Sequence, residues 1–274
     1  MTATVSMTRS LDLLHPDTPR RVLIVASDPA VSDQTGWQIG FWWEELTHSY
    51  WEFTTAGYEV AIASPKGGRL QADALSDPRD EMRLSADDLV SLGFINSPEH
   101  LALVEQAIAL SEIDIDGFDA VFLVGGQGPM YTFVDDPGVH ALVRAFYEAG
   151  KVTAVICHAT SVLLRTTLTS GELLVKGKTW TGFANSEEDF ADSFVGQKLQ
   201  PFRIEDEAGN LEDTNFIVHA RFKAHAVRDG NLITGLRSPS TDVHHLPRVS
   251  ITRRAVADAE YCCCPVIKFP SRTA

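Results

Sequence analysis

Short apolar runs rich in Val and Ile recur along the chain at 22–26, 60–63, 120–124 and 152–156, bounded by Gly, Pro, Ser or Asp. Continuous apolar runs this short predict strands buried on both faces, the pattern of a parallel sheet. Between them the spacing changes. Trp43, Leu46, Tyr50 and Phe53 step by 3, 4 and 3, and Val139, Leu142, Val143 and Phe146 also fall on one helical face. Each segment therefore offers one apolar stripe to a sheet. Gly57 and Gly150 sit where helix C-caps belong. Strand alternating with helix predicts an α/β fold with right-handed crossovers.

Three stretches depart from this alternation. Residues 1–20 mix Thr, Ser, Asp and two prolines without periodicity and read as a flexible lead-in. Residues 66–112 are polar, contain Asp77, Pro78, Asp80 and Pro98, and hold one expected helix near 98–110. They read as an insertion over the sheet, of the kind that forms lids or dimer contacts. From 236 to 274 no clean helical stripe emerges, and this segment is expected to be atypical.

Composition narrows the function. With 23 Lys+Arg against 37 Asp+Glu the net charge is −14, and no basic stretch supplies the electrostatic footprint that a nucleic-acid binder needs. No segment approaches the roughly 20 apolar residues that span a bilayer, and 1–20 lacks a secretory apolar run. The expectation is a cytoplasmic protein with no membrane or nucleic-acid partner. One cysteine stands alone at Cys157 and three are contiguous at Cys262, Cys263 and Cys264. That is a poor disulfide framework for a chain this long, which favours a reducing compartment.

The sharpest chemical feature is Thr153-Ala154-Val155-Ile156-Cys157-His158-Ala159-Thr160-Ser161, an apolar strand running into Cys157 and then an expected helix over 161–168. A nucleophile at such a junction sits on a tight turn above the sheet, with a helix N-terminus to favour a thiolate. The spacing is equally that of an inert cysteine ending a core strand. His158 adds little on this basis, because sequence neighbours seldom face each other. The glycines of Val124-Gly125-Gly126-Gln127-Gly128-Pro129 follow another strand and let backbone N–H groups approach a ligand or a developing oxyanion. They match neither a dinucleotide nor a P-loop fingerprint.

Two acidic pairs complete the candidates. Glu44 and Glu45 open a helix among Trp37, Phe41, Trp42 and Trp43. A helix N-terminus favours acids in any case, while an aromatic setting raises a carboxyl's pKa and suits it to acid/base work. In Thr181-Gly182-Phe183-Ala184-Asn185-Ser186-Glu187-Glu188, Asn185 or Ser186 is the expected cap. Either acid could orient a histidine, although spacing alone favours a solvated helix start. No metal site is expected: His244 and His245 are adjacent, and the cysteine triplet lacks C-x-x-C spacing.

In their order along the chain, these segments resemble the ThiJ/PfpI superfamily. The resemblance rests on Thr35-Gly36, Glu45-Leu46, Ala63-Ser64-Pro65-Lys66-Gly67-Gly68, Gly125-Gly126-Gln127-Gly128, Val155-Ile156-Cys157-His158, Gly177-Lys178, Thr181-Gly182-Phe183 and Asp229-Gly230-Asn231-Leu232-Ile233-Thr234-Gly235, and it covers about 21–235. It is closest to the branch of stress-inducible chaperones with glyoxalase III and proposed deglycase activity. The resemblance implies a three-layer α/β sandwich with a mainly parallel central sheet, the flavodoxin-like, class I glutamine-amidotransferase-like fold.

It also implies Cys157 as nucleophile and Glu45 as the acid on its sulfur, Glu45 lying 12 residues before Gly57 as in the family. His158 becomes the triad histidine, oriented by Glu188 in preference to Glu187. Gly126 and the His158 amide become the oxyanion hole, with Gly125 and Gln127 beside it. Gln127 stands where a histidine is frequent, and Ala159-Thr160 where Gly-Pro is common. After Gly235 the family's Gln- and Ser-bearing loop and last helix are replaced by Leu236-Arg237-Ser238-Pro239-Ser240, consistent with an altered or out-of-frame end. The implied activity is conversion of small reactive aldehydes, such as methylglyoxal to lactate, by a homodimer without cofactor, metal or glutathione. A holding chaperone with an exposed apolar surface supplied by the aromatic segment 37–53 and the insertion, and a Cys-dependent amidase, peptidase or isonitrile hydratase, are the other readings.

Overall fold

The computed structural model of the protein describes residues 20–236, apart from Arg83. The lead-in, with the exception of Arg20, and the segment after Leu236, with His244, His245 and the cysteine triplet, lie outside the described residues.

The strands are β1 (Arg21–Val25), β2 (Ala30–Val31), β3 (Gln38–Ile39), β4 (Glu59–Ser64), β5 (Ile108–Ala109), β6 (Ala120–Leu123), β7 (Val152–Ile156), β8 (Thr179–Trp180), β9 (Asn215–Phe216), β10 (His225–Asp229) and β11 (Leu232–Leu236). The helices are α1 (Trp43–Thr55), α2 (Leu89–Asn96), α3 (Pro98–Glu105), α4 (Pro129–Thr132), α5 (Pro137–Glu148), α6 (Asn185–Val195) and α7 (Ile204–Gly209). Seven strands form the central sheet in the order β10-β11-β7-β6-β1-β4-β5. All pairs are parallel except β10 with β11.

Period-2 alternation divides the apolar residues of each strand between two cores. Leu23, Val25, Val121, Leu123 and Val155 face one core with Val139, Leu142, Val143 and Phe146 of α5. Val22, Ile24, Phe122, Ala154 and Ile156 face the other with Trp43, Leu46 and Phe53 of α1 and Phe94 and Ile95 of α2. Because both faces of the sheet are covered, its strands read as unbroken apolar runs rather than alternating ones. The three-layer sandwich expected from the sequence is borne out, with strand boundaries within a residue.

The insertion differs from its sequence reading. The expected helix near 98–110 ends at Glu105, is preceded by the separate helix α2, and is followed by β5, which joins the sheet edge beside β4. Ser97 divides the two helices: it caps α3 with its hydroxyl while its own extended backbone ends α2.

The sheet's sequential strands run outward in opposite directions from β1, towards β4 and β5 on one side and β6, β7 and β11 on the other. The strand order therefore reverses at β1, and the C-terminal ends of β1 and β6 lie at the switch point, the place where parallel α/β sheets hold ligands.

Candidate active site

Cys157 stands immediately after β7, at the C-terminal end of the sheet. Its φ of 54° lies in the left-handed region, one of three non-glycine residues so placed among those described. Such a backbone costs a side-chain-bearing residue about 1–2 kcal/mol. It also bends the chain sharply, so that His158 Nδ1 lies 3.6 Å from Cys157 Sγ. The expectation that adjacent residues would not meet is corrected here, and the left-handed turn is the reason. The expected helix over 161–168 is likewise replaced by a 3₁₀ segment, Cys157–Leu164. Thr160 Oγ1 donates to the Cys157 carbonyl at 2.6 Å, competing for the acceptor of an α-helical turn.

The other ring nitrogen, His158 Nε2, lies 3.0 Å from Glu188 Oε1. Glu188 sits in the first turn of α6, where the helix dipole favours a carboxylate. Glu187 points elsewhere, accepting from the amides of Ala184 and Phe222 at 2.9 Å each. Neither Asn185 nor Ser186 caps this helix; the capping residue is Ala184, and Glu187 reaches back to it. Burial alone would pull the His158 imidazolium down, but the charge and hydrogen bond of Glu188 outweigh it and hold the group above the ordinary histidine value.

Glu45 comes from the first turn of α1 and is buried. Its Oε2 accepts the Gly125 amide at 2.6 Å, and its carboxyl hydrogen-bonds the Cys157 sulfur. Burial pushes Glu45 up, favouring the protonated acid. Burial and the neighbouring Glu45 push the thiol up too, against the Gly126 and His158 amides, which donate to the sulfur. A charged Glu45 thus opposes a thiolate, whereas a protonated Glu45 can donate to one, so the pair works as a unit that shares a proton.

Gly125 fits here only because it has no side chain: a Cβ would lie 2.6 Å from that of Cys157 and 2.9 Å from Glu45 Oε2. Gly126 has φ +100°, and a Cβ there would meet Gly40 O at 2.5 Å. The Gly125 amide is engaged by Glu45 and the Gln127 amide by Asp73, leaving Gly126 and His158 as the amides facing the sulfur. The Gln127 side chain is buried, and its Oε1 has no hydrogen-bond partner among the described residues. The arrangement thus brings Cys157, His158, Glu45, Glu188 and the 125–128 loop together. Such a set can add sulfur to an electrophilic carbon, hold the resulting oxyanion and move a proton beside it.

Sequence reasoning missed Asp73. It is buried and accepts Gly40 N at 3.0 Å and Gln127 N at 2.6 Å. Burial lifts its pKa to about 7 despite those two amides. It also missed Phe183 as a partner of the histidine, the two rings being stacked 4.0 Å apart. Among the described residues no group of His, Cys, Asp and Glu is arranged to hold a metal, and no helix is long and apolar enough to cross a membrane.

The model of the DJ-1/PfpI family matches residues 40–244. The chain belongs to the DJ-1/PfpI family. The resemblance seen in the sequence motifs is thereby borne out. Among relatives of this DJ-1/PfpI chain is a probable glutathione-independent glyoxalase of Schizosaccharomyces pombe, 28% identical over 246 residues, covering 80% of this chain and 93% of the relative. Another is glyoxalase 3 of Candida albicans, 25% identical over 207 residues, covering 75% and 86%. The crystal structure of glyoxalase III from Candida albicans superposes with a TM-score of 0.66 at 22% identity, over 80% of this chain and 91% of that one. That superposition shows the shared fold.

Proposed function

We propose that this protein is a glyoxalase of the glutathione-independent type, acting on small reactive aldehydes such as methylglyoxal and yielding lactate. The observation that carries the reading is the meeting of the Glu45 carboxyl and the His158 imidazole at the sulfur of a left-handed Cys157. The names of the Schizosaccharomyces and Candida relatives support the same chemistry.

In the proposed sequence the Cys157 thiolate adds to the aldehyde carbon of methylglyoxal. The oxygen takes up the negative charge beside the Gly126 and His158 amides and is then protonated, giving a hemithioacetal. Glu45 or His158 removes the hydrogen of that carbon as a proton, forming an enediol, and a proton returns at the neighbouring carbon. The aldehyde carbon is now a thioester and the ketone carbon an alcohol, so one is oxidised as the other is reduced. Water cleaves the thioester, releasing lactate and restoring the thiol. The sum is methylglyoxal plus water giving lactic acid, so the sulfur of Cys157 serves where a glutathione thiol otherwise would.

His158, held above its ordinary pKa by Glu188, is suited to exchange protons with the sulfur and the adduct near neutral pH. The unit proposed to carry this activity is 21–235, acting on a small molecule, as a homodimer, in the cytoplasm. Sedimentation velocity tests the homodimer, and fractionation of the expressing cells tests the location.

The deciding experiment is lactate formation from methylglyoxal without glutathione, comparing the native protein with Cys157→Ala and Glu45→Gln. Clear native turnover that falls by about three orders of magnitude in Cys157→Ala is the expected result. Equal inactivity of all three proteins would refute the reading.

A further inference from the structure

We propose that Asp73, carried by the insertion, is a positioning residue that holds the Gly126 amide on the Cys157 sulfur. This deepens the reading of Cys157 as nucleophile and rests on it. The geometry is specific. Three successive amides leave the end of β6: Gly125 N donates to Glu45 Oε2 at 2.6 Å, Gln127 N donates to Asp73 Oδ2 at 2.6 Å, and Gly126 N between them faces the sulfur. Two buried carboxyl groups thus clamp the peptides on either side of the one that binds the anion. A glycine with φ +100° has no side-chain contact of its own to fix its orientation, so the flanking bonds must do so.

The other oxygen of Asp73 accepts Gly40 N at 3.0 Å, and Gly40 O accepts Gly128 N at 2.8 Å. The loop is therefore held from both ends by a single side chain and the glycine it grips. The same turn of the insertion reaches α1. Ser76 Oγ accepts Trp43 N at 3.1 Å and donates to Asp73 O at 2.7 Å, tying the first turn of the Glu45 helix to Asp73. Asp73 forms no ion pair among the described residues; its hydrogen bonds are to backbone N–H, and beyond them only the charge of His158 offsets its burial. A carboxylate kept in such a place costs desolvation that an amide or hydroxyl would avoid. Its double acceptor geometry, one oxygen to each amide, is what neither Asn nor Ser can reproduce.

The test uses Asp73→Asn and Asp73→Ser in the full chain, with Asp136→Asn as a control, because Asp136 caps α5 and touches none of these groups. Two quantities are followed: kcat and KM for lactate formation, and the pH profile of iodoacetamide alkylation at the Cys157 peptide, read by mass spectrometry. The expected result is a kcat reduced about 100-fold with KM changed less than about threefold, the loss typical of an oxyanion donor. The alkylation midpoint is expected to move to higher pH, because the thiolate loses the aligned Gly126 amide. Removing a negative charge without disturbing the loop would move the midpoint to lower pH, so the direction separates positioning from simple electrostatics. Asp136→Asn keeps a side-chain oxygen to cap α5 and is expected to leave Tm nearly unchanged and both readouts unmoved.

A folded variant with native kcat and an unmoved or lowered midpoint overturns the proposal. Failure of both variants to fold also overturns it, by making Asp73 a structural staple. If the native protein forms no lactate, the alkylation profile still decides the role of Asp73 while the proposed activity falls.

Discussion

The imidazole of His158 lies flat on the ring of Phe183, centroids 4.0 Å apart and planes 25° from parallel. Glu188 fixes one end of the imidazole through Nε2, and Phe183 fixes its plane, so that Nδ1 is directed at the sulfur. Phe183→Leu keeps apolar bulk but removes the flat face. The expected outcome is a fall in kcat of about tenfold, equivalent to about 1.4 kcal/mol and within the range of an aromatic contact, with Tm lowered only slightly. Steady-state kinetics beside a thermal melt check this, and a native kcat would remove Phe183 from the positioning of His158.

Glu188 makes a prediction about pH. Its charge holds the His158 imidazolium above the ordinary value of 6.5 in the folded protein. A group raised in this way adds stability that is full below the unfolded value and is lost as pH rises through the folded one. Glu188→Gln removes the largest raising partner, leaving burial to pull the imidazole down against the charges of Glu45 and Asp73, so the contribution of a charged histidine shrinks. The gap in Tm between native protein and Glu188→Gln is therefore expected to be widest below about pH 6.5 and to narrow steadily above it. Melts from mildly acidic to mildly alkaline pH measure the gap, and a constant gap would show that the pair stabilises the fold without a charged histidine.

Much of this fold was legible because burial on both faces leaves β1, β6 and β7 as unbroken apolar runs, and because α5 shows its stripe of Val139, Leu142, Val143 and Phe146. The strand β5 was not, since Ile108 and Ala109 are only two residues in a polar insertion and gain their pairing from Ala63 and Ser64. The choice between Glu187 and Glu188 turns on one helical step of about 100°, which residue type does not encode. Asp73 was hidden for a different reason. Its partners are backbone amides 33 and 54 residues away, and an amide leaves no mark in a sequence. The one local signal was its turn chemistry, an aspartate followed three residues later by a serine. The contact of His158 with Cys157 was legible only through the family resemblance and not from spacing, because it depends on a φ of 54° that cysteine rarely adopts.

That φ yields a prediction about the cost of the site. Alanine at 157 keeps the left-handed strain, whereas glycine adopts the same backbone with little penalty. Both substitutions remove the sulfur and free Glu45 from the buried thiol, so the difference between them isolates the backbone term. Cys157→Gly is expected to be more stable than Cys157→Ala by about 1 kcal/mol, reversing the usual order, in which glycine is the less stable of the two by about 0.5–1 kcal/mol. Urea unfolding of the two variants under identical conditions measures the difference. If Cys157→Ala is the more stable, the turn relaxes once the sulfur is gone, and the contacts of Cys157 with Glu45 and His158 are then what hold it left-handed. If Cys157→Gly is the more stable, residues 125–128 and 158–164 impose the turn, and the nucleophile is held in place by a scaffold that exists without it.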